Sequence, residues 1–264
     1  MPDLEQILTD LAGEHAELDA MVAELDEAGW ETETPAEGWN VRDQIGHLAF
    51  FDEQAALALR DQVAFATALS EIAKDVGAYM DRSVVRGRAI GNDAVLQWWR
   101  AARTDMMEAV QGIDPSTRIP WYGPPMSPAS FVTARIMETW AHGQDVADAI
   151  HVGREVAPRI RNVAHICVLS RPHCYAANGL STPEVEVFVE LSGPDGDTWT
   201  WGEPGATNRV SGSAEDFCLV VTQRRHPDDT DLGITGDDAV TWMSIAQAYA
   251  GPPGSGRKPG QFPR

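Results

Sequence analysis

The sequence predicts an all-α four-helix bundle over residues 1–155, followed by a small α+β domain over residues 156–264. Apolar residues recur every three to four positions in several long segments of the first part, as on the buried face of bundle helices. Glycine and proline separate those segments. Beyond Gly153 the pattern changes, and the alternating segment EVEVFVEL predicts a β-strand. These three observations set the fold class and the domain boundary.

The first two predicted helices are separated by a glycine-rich break that contains Pro35. The apolar stripe of the first helix consists of Leu4, Leu8, Leu11, Leu18, Val22 and Leu25. The second helix begins at Asn40, whose side chain can cap it, and Asp43 in its first turn suits the helix dipole. It carries His47 about two turns from its start.

Three more helical segments complete the first domain. Residues 62–88 are expected to be helical for much of their length, and residues 91–114 form another helix. Ser127 and Pro128 then give a strong start signal, a hydroxyl N-cap followed by proline at the first helical position. We expect the helix that follows to continue to about His151.

The second domain mixes strands and helices. EVEVFVEL, the turn SGPDGD and TWTWG together predict a β-hairpin. Ser213 caps a predicted helix in SGSAEDFCLVVTQRR, and DDAVTWMSIAQAYAG predicts another. The Gly/Pro-rich end of the chain, GSGRKPGQFPR, is expected to be mobile.

Charge and composition exclude several classes of partner. The formal net charge is −20, with 40 acidic against 20 basic residues, so nucleic acids and anionic membrane surfaces would be repelled. The chain begins without a signal-peptide pattern, and no apolar run approaches the roughly 20 residues that span a bilayer. We therefore expect a soluble, cytoplasmic monomer or homodimer. Its three cysteines, Cys167, Cys174 and Cys218, suit a reducing compartment and are expected to be buried.

Glu138 and His142 are candidate metal ligands because residues four apart lie on one face of a helix. Zinc accepts imidazole nitrogen and carboxylate oxygen, and a catalytic zinc site uses three protein ligands. His47, between apolar neighbours on another helix, is the best third candidate. The alternative interpretation is an exposed ion pair of Glu138 with His142 and a histidine packed in the core.

Other polar side chains have weaker signals. His15 lies on the apolar stripe of the first helix and is expected to be a core or pocket-lining histidine. Asp145 could orient an imidazole from behind, or lie on the surface. Trp121 and Tyr122 are candidate pocket-wall residues. There is no G-x-S-x-G and no G-x-x-x-x-G-K-[ST] motif, so nucleophile-elbow and phosphate-loop chemistry have no support.

GWNVRDQIGHLAFFD and, further along, ETWAHGQDVADA resemble the DinB-like superfamily, in particular the actinobacterial mycothiol-dependent maleylpyruvate isomerase family. The resemblance covers nearly the whole chain, and its specific parts are a W…D-x-x-x-H element and an E-x-x-x-H element. It implies a DinB-type four-helix bundle followed by a domain likened to sterol carrier proteins. By position it implies that His47, Glu138 and His142 form the metal triad.

The resemblance also implies an activity. The family's isomerase uses an arginine late in its second domain, and VVTQRRH places Arg224 or Arg225 near it, with Gln223 where a glycine is expected. The implied cofactors are a divalent metal, most simply zinc, and mycothiol as cosubstrate. A metal-activated thiolate could add to an activated double bond, permitting isomerisation, or displace a leaving group, giving S-transfer. The implied substrate is a small molecule whose carboxylate an arginine could hold in a pocket shared between the domains.

A competing hypothesis from a different class is a non-catalytic metal- or ligand-binding protein in which the same triad is structural or vestigial. An open coordination position would favour the enzyme, whereas a fourth protein ligand would favour the structural role.

Overall fold

The computed structural model describes residues 3–72 and 76–262. The chain divides into two compact units, Met1–Arg154 and Glu155–Arg264. The fold is mostly helical, with one small four-stranded sheet in the second unit. Over the described residues, no helix is both long and apolar enough to span a membrane.

Seven helices lie in the described part of the first unit, and the third is at their centre. They are α1 (Leu4–Ala23), α2 (Glu27–Trp30), α3 (Val41–Arg60), α4 (Gln62–Ile72), α5 (Val76–Ile90), α6 (Asn92–Ala109) and α7 (Pro128–Ala149). Helix α3 packs against α4, α5, α6 and α7, and α1 packs against α7. The segment predicted over residues 62–88 contributes to both α4 and α5, and its residues 73–75 lie outside the described part.

The helices that carry the candidate ligands begin where their capping residues predict. The Asn40 side chain accepts a hydrogen bond from the Asp43 backbone, and the Asp43 carboxylate accepts one from the Asn40 backbone, each at 3.1 Å. This reciprocal capping box satisfies two of the unpaired N–H groups at the start of α3. Ser127 caps α7 by accepting from the Ser130 backbone, with Pro128 at the first helical position. Both predicted starts are confirmed.

The core of the first unit contains half of the predicted α1 stripe, while Leu4, Leu8 and Leu25 are partly buried. Leu11, Leu18 and Val22 of the α1 stripe are fully buried, as is Trp99 of α6. Burial of each such side chain is worth about 1.5–3 kcal/mol relative to exposure. This packing fixes α3 and α7 side by side and therefore positions whatever polar groups they present to each other.

One buried ion pair joins α3 to α7. The Arg135 guanidinium donates to Asp52 Oδ1 from Nε at 3.0 Å, and its NH2 nitrogen lies 2.9 Å from the same oxygen. The Asp52 side chain is 0% exposed and that of Arg135 is 3% exposed. On α1, His15 is buried with its ring edge-on to Trp99, at 5.8 Å between ring centroids.

The second unit is built around a mixed sheet with strand order β2-β1-β3-β4. Its elements are α8 (Ile160–Leu169), α9 (Arg171–Ala177), β1 (Val187–Ser192), β2 (Thr198–Trp201), β3 (Asn208–Ser213), α10 (Ala214–Val221), a 3₁₀ turn (Pro227–Asp229), β4 (Gly233–Thr235) and α11 (Asp237–Ser244). The predicted hairpin is confirmed, because β1 and β2 are antiparallel with Val189 opposite Trp201. β3 runs parallel to β1 and antiparallel to β4.

Side chains of the second unit agree with several smaller predictions. Ser213 caps α10 by accepting from the Asp216 backbone at 3.0 Å. Cys167, Cys174 and Cys218 are all free thiols in the buried core, as expected. In the tail, the Gly260 backbone donates to Asp229 and the Phe262 ring lies against Arg225.

Candidate metal centre

His47, Glu138 and His142 come together between α3 and α7. Each offers one ligand atom, and those atoms all lie within 4.8 Å of one another. The two imidazole centroids are 4.5 Å apart, and His142 Nε2 is 3.4 Å from Glu138 Oε2. Two imidazoles and one carboxylate are a donor set that zinc uses in catalytic sites.

The local folding of the two helices produces this arrangement. Glu138 and His142 are four residues apart on α7, so both side chains project from the same face. The capping box fixes the start of α3 and thereby the position of His47 along it. Since α3 packs against α7, the three side chains converge at the line of contact between the helices.

The cluster is partly open to solvent. His47 is 8% exposed, and the side chains of His142 and Glu138 are 13% and 22% exposed. Burial alone would raise the pKa of Glu138, but the hydrogen bond from His142, with the charges of His142, Arg135 and His47, outweighs it and lowers the pKa to about 2. The carboxylate is therefore ionised at neutral pH and able to bind a cation.

Aromatic rings enclose the two imidazoles. Trp39, in the loop before α3, lies 5.1 Å from the His47 centroid and is stacked on His142 at 6.1 Å with 16° between planes. Phe51, one turn after His47 on α3, lies 4.5 Å from it. Tyr122, a candidate pocket-wall residue, lies 5.5 Å from Phe51 and hydrogen-bonds the Tyr79 hydroxyl at 2.5 Å. These rings form an apolar wall beside the donor cluster.

The hydrogen-bond partner of His142 Nδ1 is Gln44, whose Oε1 lies 2.5 Å away. The sequence pattern favours Asp145 for such a role, and Gln44 was not predicted; Asp145 is buried on α7. A signal for Gln44 was present, because it precedes His47 by three residues and so shares its helical face. Among the described residues, the group of candidate metal ligands does not include His15, which is buried on α1 as its position on the apolar stripe predicts.

Arg224 and Arg225 lie in the second unit, directly after α10. Both backbone N–H groups donate to the Leu219 carbonyl, at 2.7 and 3.1 Å, which turns the chain away from the helix. The Arg224 guanidinium donates to the Thr222 carbonyl at 2.6 Å, and that of Arg225 donates to the Arg224 carbonyl at 2.7 Å. Arg225 also borders a cavity of about 370 Å³ in this unit, together with His226 and Arg257. The predicted role of either arginine in substrate binding stays a prediction.

The backbone conformation of Gln223, the residue before these arginines, is one that favours glycine at this position. Gln223 has φ 62°, in the left-handed region that glycine adopts without a steric penalty. Its amide compensates by donating to the Ala246 carbonyl at 3.0 Å and accepting from the Tyr249 hydroxyl at 2.6 Å. The turn therefore keeps a glycine-type backbone conformation although it carries a side chain.

Fold and site together define a class: a mostly helical protein in which two histidines and a glutamate, on two packed helices, can hold one divalent ion. The profile of the family described as the mycothiol maleylpyruvate isomerase N-terminal domain matches residues 11–147, which include all three of these side chains. The chain belongs to that family. A second profile, described as wyosine base formation, matches residues 183–233.

Known relatives and structures extend the similarity over most of the chain. An uncharacterized protein of Mycobacterium tuberculosis (strain ATCC 25618 / H37Rv) is 44% identical over 257 residues, covering 97% of this chain and all of the relative. The crystal structure of the mycothiol-dependent maleylpyruvate isomerase covers 88% of this chain and 93% of its own, with a TM-score of 0.58 and 15% identity. A mutant of that isomerase gives a TM-score of 0.61 at 14% identity over the same shares. At such low identity the two structures establish similarity of fold.

Proposed function

We propose that this chain is a metal-dependent enzyme that uses a low-molecular-weight thiol, mycothiol, in an isomerisation or S-transfer on a small activated substrate. His47, Glu138 and His142 hold a divalent cation, zinc in the first instance. In this proposal the first unit is a DinB-like four-helix bundle and the second is a sterol-carrier-protein-like domain. The observation that carries the proposal is the convergence of three ligand atoms within 4.8 Å of one another.

The chemistry of the donors fits such an ion. Glu138 is ionised and partly accessible, and two imidazoles supply neutral nitrogen ligands without adding negative charge. Three protein ligands leave a coordination position for water or for a thiol sulfur. When bound, the cation supplies Lewis acidity that lowers the pKa of a thiol, so that the thiolate is present at neutral pH.

The protein's own residues provide orientation and shielding around that position. Trp39 and Phe51 cover the imidazoles with apolar surface, which excludes water from part of the site and strengthens electrostatic interactions there. Family membership supports mycothiol as the thiol and isomerisation as one reaction type. In an isomerisation, the thiolate adds to one carbon of an activated double bond, the resulting single bond rotates, and elimination restores both the double bond and the thiolate.

Arg224 or Arg225 binds the substrate carboxylate in this proposal. A guanidinium matches a carboxylate through two parallel hydrogen bonds, a role that lysine fills poorly. Methionine at each position in turn keeps much of the side-chain length and removes the charge. Loss of thiol-dependent turnover with metal content retained would support the assignment, whereas full activity of both variants would refute it.

Metal analysis and a thiol-dependence assay test the main proposal. Protein purified without chelator should carry about one divalent ion per chain, and His142→Ala should lose it together with turnover. His173→Ala, which changes an exposed histidine of the second unit, is the matched control and should keep both. Unchanged metal content in single alanine variants of His47, Glu138 and His142 would remove the site assignment. Stoichiometric metal without any mycothiol-dependent turnover of maleylpyruvate or related activated acids would favour a non-catalytic binding protein.

A further inference from the structure

A chain of hydrogen bonds runs from a backbone carbonyl to the candidate ligand His142. Thr34 Oγ1 donates to the Trp39 carbonyl at 2.8 Å, and Gln44 Nε2 donates to Thr34 Oγ1 at 2.8 Å. Gln44 Oε1 then lies 2.5 Å from His142 Nδ1. These hydrogen bonds thus join the loop before α3, α3 itself and α7.

The direction of these hydrogen bonds follows from which groups can donate a proton and which can only accept one. A carbonyl oxygen only accepts, so the single hydroxyl proton of Thr34 is committed to Trp39. The Thr34 oxygen is then an acceptor, so Gln44 turns its NH2 group towards Thr34 and its carbonyl oxygen towards His142. Consequently His142 carries its proton on Nδ1. In the charged imidazolium, Nε2 also carries a proton and can donate it to Glu138, 3.4 Å away. In the neutral imidazole that second proton is lost, and the lone pair is left on Nε2.

The surroundings hold this arrangement in place. Gln44 is 0% exposed, so a reversed or broken bond would leave a buried amide group without a hydrogen-bond partner, which is unfavourable. Arg88 donates to Asp43 Oδ1 and Oδ2 at 3.0 and 2.6 Å and to the Gly38 carbonyl at 2.9 Å, which ties the loop to the start of α3. Gly38 has φ 79°, a conformation that favours glycine. The loop that carries the Trp39 carbonyl, the last acceptor in the series of hydrogen bonds, is therefore held in place.

We propose that Gln44 and Thr34 are positioning residues that keep His142 in the Nδ1–H tautomer and present Nε2 to the cation. The inference rests on the proposed metal-binding function and deepens it. A ligand histidine commonly donates its second N–H to a carboxylate, a carbonyl or water, which fixes the tautomer and ring orientation. Here a side-chain amide does so, and a threonine orients the amide.

Two variants test the role. Gln44→Met keeps the approximate volume and removes the acceptor, and Thr34→Val removes the hydroxyl that orients Gln44. We expect Zn²⁺ affinity, measured by competition with a chromophoric chelator, to fall about 10–100-fold in Gln44→Met. Thr34→Val should show a smaller fall in the same direction. Thr133→Val is the matched control, because that buried hydroxyl of α7 bonds only the Ala129 carbonyl among the contacts described and should leave affinity unchanged.

The tautomer itself gives a readout that general loosening of the structure would not produce. In metal-free protein at a pH where the imidazoles are neutral, ¹⁵N correlation spectra should show His142 protonated on Nδ1, with the assignment made from His142→Ala. The Gln44→Met spectrum should shift towards the Nε2–H form. A wild-type His142 protonated on Nε2, or unchanged affinity and tautomer in Gln44→Met, would overturn the inference. Failure of the wild-type protein to bind Zn²⁺ would instead refute the proposed function, and the wild-type tautomer would still report separately on the hydrogen-bond chain.

Discussion

Two groups of ionisable side chains connect α3 to α7, and they differ in what balances their charge. In the first, the Asp52 carboxylate faces the Arg135 guanidinium, and the positive charge is supplied by the protein. In the second, the atoms contributed by His47, Glu138 and His142 can all donate an electron pair to a cation. The first group contains its own counter-charge, whereas the second has the composition of a site that receives an ion.

The two groups also differ in how deeply they are buried. Asp52 and Arg135 are sealed in the core, while Glu138 and His142 remain partly exposed. Burial raises the pKa of Asp52 in spite of the neighbouring Arg135, so the pair is expected to add little net stability. We therefore expect that removing one charge of the closed pair, Asp52 with Arg135, destabilises the protein, whereas the open cluster of His47, Glu138 and His142 can gain or lose an ion while the protein stays folded.

The largest expected effect breaks the closed pair. Asp52→Leu should lower the free energy of unfolding by about 3–5 kcal/mol, because Arg135 would remain charged and buried without its partner. Denaturant unfolding measures this, and zinc content of the folded fraction should stay at the wild-type value. The double variant Asp52→Leu/Arg135→Met is the control and should recover much of the loss. A single variant within about 1 kcal/mol of wild type would show that the pair is not the structural element inferred here.

A smaller effect is expected when the open cluster is emptied. Zinc at 100 times its dissociation constant should raise the free energy of unfolding by about 2.7 kcal/mol over that of chelator-treated protein. In His142→Ala, zinc and chelator should give the same unfolding curve, since the ion no longer binds. Equal stabilisation of wild type and His142→Ala would mean that zinc acts somewhere other than this cluster.

The contrast between the groups also indicates what sequence can predict. Local signals were sufficient for the starts of α3 and α7, because the capping side chains of Asn40 and Ser127 act on residues three positions away. Strands β3 and β4 were missed, since β3 has a single fully buried apolar residue, Val210, and β4 is only three residues long. Their pairing is made by neighbouring strands rather than by their own pattern.

In the candidate site, too, contacts between residues far apart in sequence could not be predicted from local signals. Glu138 and His142 could be paired from their spacing, and the resemblance supplied His47. Gln44 lies 98 residues from His142 in sequence, and only the packing of α3 on α7 brings them together. Likewise, the closed Asp52–Arg135 pair spans 83 residues, and no local motif indicates it. Partners of this kind depend on tertiary structure.

An effect that is absent at pH 7 and grows only on acidification concerns His15, which is buried on α1. Burial, followed by the charges of Arg103 and Arg135, lowers the pKa of His15 from 6.5 to about 3. The unfolded chain therefore takes up this proton at higher pH than the folded protein does. Stability falls as pH drops below about 6.5, by up to about 1.4 kcal/mol per pH unit, and this loss ends near the folded pKa. Above pH 7 the effect is absent.

His15→Leu should remove this contribution while keeping an apolar side chain in the core. Unfolding free energies measured in chelator at pH 7, 6, 5 and 4 should therefore fall less steeply for His15→Leu than for wild type, whatever the offset between the two at pH 7. Chelator keeps the metal centre empty throughout, so pH-dependent ion binding cannot contribute to the difference. His173→Leu, at an exposed histidine, should follow the wild-type slope. Parallel curves for wild type and His15→Leu would mean that His15 gains its proton in the folded protein as readily as in the unfolded chain.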